Sequence, residues 1–105
     1  MPTLICAARR IGDQESRTEE YELRFSAGEA PPRILQVKYQ AARAYEINAA
    51  LDTATDSARA TISEDHPDLP QPTDEALAQL SWRTIQSAKY EGGGTKVSTL
   101  ELQGA

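Results

Sequence analysis

Residues 30–52, APPRILQVKYQAARAYEINAALD, form the longest stretch free of glycine and of an interior helix-breaking proline, and they hold the chain's densest apolar content. The fold turns on how this stretch is read. As a helix, Ile34, Val37, Ala41, Ala44, Tyr45, Ala49 and Leu51 share one broad face. As a strand, Leu35, Val37 and Tyr39 alternate with Gln36, Lys38 and Gln40. The second half is rich in strong helix formers, and alanine is depleted in strands. Pro31–Pro32 also suits a first helical turn, where a missing N–H costs nothing. These features predict a helix over 32–52. The alternative is a strand at 33–39 followed by a shorter helix at 41–52.

The segments before it read as strands. Residues 3–10, TLICAARR, are apolar on both faces, with Leu4, Cys6 and Ala8 on one and Ile5 and Ala7 on the other. That is the pattern of a central or well-covered strand. Residues 18–26, TEEYELRFS, set Tyr21, Leu23 and Phe25 against Glu20, Glu22 and Arg24, so one face is core and the other wet. With the polar turn at 12–17, the two make a hairpin.

Beyond residue 52 the pattern weakens. Residues 57–63, SARATIS, suit either a short strand or a helix extension, and residues 63–72 read as an acidic, proline-rich loop. Thr73 then opens a helix over 73–90, with a capping hydroxyl and Asp74 and Glu75 in the first turn. Leu77, Leu80, Ser81, Thr84, Ile85 and Ala88 form its inner face, with Trp82 on the flank. Gly92-Gly93-Gly94 stops it, and residues 95–103 read as a last strand. The expected architecture is one α+β domain over 1–105. An N-terminal antiparallel hairpin plus the C-terminal strand make a small sheet, with helices at 32–52 and 73–90 on one face.

Composition excludes several functions. The one cysteine, Cys6, allows no internal disulfide, and no apolar run approaches the ~18 residues of a membrane span. No secretion signal opens the chain, so a soluble cytoplasmic protein is expected. The alanine and arginine bias fits a GC-rich bacterial or phage genome. Net charge is −5, and residues 52–75 carry seven acids against Arg59 alone. Such a segment repels phosphate backbones, so direct nucleic-acid binding is not expected.

Chemistry-bearing residues are sparse. His66 sits among Glu64, Asp65 and Asp68, but no second histidine and no glycine-containing calcium-loop spacing accompanies it, so a solvated acidic loop is the better reading. Cys6 has only His66 as a conceivable base and reads as a small buried side chain. The triple glycine lacks the lysine and hydroxyl of a phosphate loop. No catalytic residue, metal ligand or cofactor is expected. With 32–52 helical, Tyr39 and Ile47 fall off the apolar stripe and join Trp82 as side chains that suit a partner surface. Glu64, Asp65 and Asp68 would supply an electronegative face for a basic partner.

These readings point to a non-enzymatic protein–protein interaction module, an assembly subunit or accessory factor that binds another protein or itself. One alternative is an acidic inhibitor of a nucleic-acid-binding surface. Another is a small enzyme using His66.

Overall fold

In the computed structural model, which describes residues 2–91 and 93–103, strands β1 (Thr3–Ile11) and β2 (Thr18–Ser26) pair antiparallel from Ile5 opposite Ser26 to Ile11 opposite Glu20. The turn between them needs Gly12 in the left-handed region, at φ 77°. Asp13 Oδ1 then accepts from the Glu15 N–H at 2.9 Å, closing an Asx turn. The expected hairpin is present.

The ambiguous stretch resolves against the predicted helix at 32–52. Arg33–Gln40 is a third strand, β3, paired antiparallel with β2 from Phe25 opposite Arg33 to Thr18 opposite Gln40. Only as a strand do Leu35, Val37 and Tyr39 land on the same face as Tyr21, Leu23 and Phe25. Completing that face outweighs the helix propensity of the residues that follow. Helix α1 starts after the turn and runs Ala44–Asp65. Glu46 secures its start, accepting from the Gln40 N–H at 3.1 Å and from the Arg43 guanidinium at 3.0 Å.

α1 continues through the undecided segment and into the expected loop, leaving residues 66–73 as the connection. Ala50, Ala54, Ala58 and Ile62 recur every fourth residue and are buried. Thr53 and Thr61 do not break the helix, because their hydroxyls donate to the carbonyls of Ala49 and Ser57. Pro67 then forces the stop.

α2 spans Asp74–Tyr90, capped by Thr73 Oγ1, which accepts from the Ala76 N–H at 3.1 Å. Its buried residues are the six of the expected inner face. Gly94 follows at φ 96°, while Gly92 lies outside the described residues. The last strand, β4 (Lys96–Glu101), returns to pair with β1, giving the antiparallel order β3-β2-β1-β4. The fold is α+β.

Both helices lie on one face of this sheet. Leu4, Cys6, Ala8, Tyr21, Leu23, Phe25, Val37 and Tyr39 from the strands meet Ala54, Ala58, Ile62, Leu77, Leu80 and Ile85 from the helices in one core. No helix among the described residues is long and apolar enough to cross a membrane. The opposite face carries no element of the described chain.

Candidate interaction surface

Antiparallel register fixes what that bare face presents, because directly opposed residues share a side of the sheet. One row crosses all four strands as Ile34, Arg24, Ala7 and Val97. The next holds Gln36, Glu22 and Arg9, and the row beyond it Lys38, Glu20 and Ile11. On the other side of the first row, Ser26, Ile5 and Thr99 align. Ile34 is 55 % exposed, Val97 60 % and Ile5 39 %, and among the described residues these are the exposed large aliphatic side chains.

The charges on this face are arranged rather than scattered. Glu22 Oε2 meets Arg9 and Glu22 Oε1 meets Arg24, both at 3.4 Å, so one half-buried carboxylate bridges two guanidiniums. Ala7, Arg9, Glu22, Arg24 and Thr95 line a shallow groove of about 270 Å³. Arg9, Arg24 and Lys38 balance Glu20, Glu22 and Glu101, leaving the face neutral in an acidic chain.

A second polar cluster sits inside, where β2 and β3 meet the end of α2. Glu19, 5 % exposed, accepts from the Tyr21 hydroxyl at 2.6 Å and from Lys89 Nζ at 3.1 Å. Burial and the adjacent Glu19 push the Tyr21 hydroxyl far above its ordinary range, and burial with Glu19 pushes Tyr39 up to about 12. Burial pulls Lys89 down, but its bonds to Glu19 and Tyr90 outweigh this and leave it raised. Both tyrosines stay protonated near neutral pH and cannot act as bases. The cluster ties β2 to α2.

The residues expected at a partner surface separate. Tyr39 is 2 % exposed, stacked 6.0 Å from Tyr21 and with Trp82 tilted against it, also at 6.0 Å. Its expected place on a surface is corrected by the strand at 33–40, which turns it inward. Ile47 and Trp82 are partly buried against the same core. The acidic trio also divides. Glu64 pairs with Arg33 at 3.1 Å, and Asp65 Oδ1 accepts from the Ala30 N–H at 3.0 Å. Asp68 is exposed. His66 Nε2 donates to the Ala27 carbonyl at 2.6 Å, which makes the imidazole a strut between α1 and the β2–β3 connection.

Cys6 is fully buried, and desolvation pushes its thiol up to about 11, far from the thiolate a nucleophile needs. Among the described residues no group of three or more His, Cys, Asp or Glu side chains is placed to hold a metal. The outer face of β1, by contrast, is apolar in the sequence itself, through Ile5 and Ala7. No family model, no curated protein and no solved structure matches the chain.

Proposed function

We propose that this chain is a non-enzymatic protein–protein interaction module, an assembly subunit or accessory factor in the cytoplasm of a bacterium or of a phage-infected cell. It docks through the helix-free face of its sheet. One observation carries this reading. The central strand β1 has apolar residues on both sides, as strands covered on both faces do, yet the described residues cover only one side. A protein partner completes the second layer. The buried Cys6 is in keeping with a reducing compartment.

The test is a pair of charge insertions, Ile34→Asp and Val97→Asp. Both side chains are exposed, so the fold should survive with an unchanged thermal midpoint. Affinity purification and light scattering should then show loss of whatever the wild-type chain retains, whether a foreign protein or a second copy. A wild-type chain that is strictly monomeric and retains no protein removes the proposal.

The second reading, an acidic inhibitor of a basic surface, no longer rests on Glu64 and Asp65, which are engaged within the chain. It keeps the exposed Asp68, and Asp52, Asp56 and Glu75, which line a groove between α1 and α2 where Asp74 is paired with Arg59. Reversing Asp52 and Asp56 to lysine should abolish such binding, and unchanged binding would dismiss it.

A further inference from the structure

We infer that the occupant of the bare face is a second copy of this chain, packed sheet to sheet about a two-fold axis that runs parallel to the strands between β1 and β2. This rests on the reading of that face as the docking surface. Under such an axis each position on β2 opposes the same row of β1 in the other copy, and each position on β3 opposes β4. The register then decides what meets what.

In the second row, Glu22 opposes Arg9 of the second copy, and by symmetry Arg9 opposes Glu22 of the second copy. In the first row, Ile34 opposes Val97 of the second copy, twice over, while Arg24 lies over the small Ala7. In the second row opposite charges face each other, in the first the two most exposed aliphatic side chains of the sheet cover each other, and in the third Glu20 lies over Ile11 of the second copy. A two-fold interface requires this self-complementarity of a single patch. The packing is that of aligned sheets, whose mean strand directions lie within about 30° of each other.

The distribution of charge favours a like partner too. The face is neutral, whereas α1 carries Glu46, Asp52, Asp56, Glu64 and Asp65 against Arg59. Two copies meeting through their sheets turn those acidic helices outward and apart. A strongly basic foreign partner would find no complementary charge on the face. The sheet edges are less suited to pairing with another chain. β4 is only six residues long and begins with Lys96, and β3 follows Pro31–Pro32 and begins with Arg33.

The test separates contacts between copies from those within one. Arg9→Glu leaves a face with carboxylates at both second-row positions, and Glu22→Arg leaves one with guanidiniums at both. Each variant alone should dimerise at least about tenfold more weakly than wild type in sedimentation equilibrium. Mixed in equal amounts, they should recover a dimer containing one of each, because every opposed pair is then of opposite sign. Circular dichroism and thermal midpoints of the separate variants check that each is folded.

A wild-type dimer indifferent to both substitutions, or a mixture no tighter than either variant alone, overturns the inferred interface. A wild-type monomer that still retains a foreign protein through Ile34 and Val97 overturns the second copy but leaves the docking face standing. A monomer that retains nothing overturns both.

Discussion

Tyr39 of β3 stacks on Tyr21 of β2, with ring centroids 6.0 Å apart and planes 20° from parallel. In the register Tyr21 opposes Val37, so the two rings are diagonal neighbours on the inner face, close enough for aromatic contact. This stack accounts for the strand at 33–40. Large rings two residues out of step can meet beneath the helices only if both segments are extended. Tyr39→Ala should therefore cost about 3–5 kcal/mol, measured by urea denaturation, the range for emptying a large aromatic site in a core. Tyr45→Ala, on a side chain 68 % exposed, should change stability by less than about 0.5 kcal/mol.

Lys89 and Glu19 join elements seventy residues apart at the base of that stack. Lys89→Met leaves the Glu19 carboxylate buried with Tyr21 alone, and should cost about 2 kcal/mol, less than a fully buried pair because Lys89 retains some solvent. Adding Glu19→Gln removes the stranded charge while keeping an acceptor for Tyr21. The double variant should then be more stable than the sum of the two single losses, which a double-mutant cycle reads directly.

Alkaline pH probes the same cluster. The Tyr39 hydroxyl rises from an ordinary 10.0 to about 12 in the folded chain, and Tyr21 moves in the same direction. Below pH 10 both folded and unfolded states hold these protons, and the stability is fully present. As pH climbs from 10 through 12 the unfolded chain releases them first, so stability falls across that window. Cys6, raised from 9.0 to about 11, begins the decline earlier. With the exposed Tyr45 and Tyr90 replaced by phenylalanine, phenolate absorbance reports Tyr21 and Tyr39 alone and should rise together with loss of helical circular dichroism. Phenolate formation in that variant while it stays fully folded would contradict the burial of these two rings.

The ends of the two helices give a local test. Thr73→Ala removes the acceptor for the Ala76 N–H and should cost about 1 kcal/mol. Asp65→Ala removes the acceptor for the Ala30 N–H and should cost about 1–2 kcal/mol. The second figure separates an Asp65 that holds the β2–β3 connection from one that only adds surface charge, whose loss would be near neutral.

Much of this fold was legible because its signals are strong and local. Tyr21, Leu23 and Phe25 alternate cleanly, and Thr73, Asp74 and Glu75 announce α2, whose six buried residues keep a helical period. β3 was legible only as the alternative, a strand at 33–39, because its alternation runs into an alanine-rich helix whose propensity tipped the reading the other way. The second half of α1 was hard to separate from a short strand because most of the side chains it buries are small. Thr55, Ala58 and Thr61 show little contrast with the residues around them, and Ile62 alone is a large buried side chain there. The interaction face was half legible. TLICAARR reads as a central or well-covered strand with both faces apolar, but only the sheet order places Ile34 and Val97 in one row with Ala7 and leaves that row bare.

Binding through the bare face is read by methyl and amide NMR spectra recorded across a dilution series. Concentration-dependent shifts are expected at Ile5, Ile34, Val97, Arg9 and Glu22, with Ile62 and Leu80 in the core and Asp52 and Asp56 on α1 unmoved. Shifts that map instead to α1 and α2, leaving the sheet residues unchanged, would contradict it.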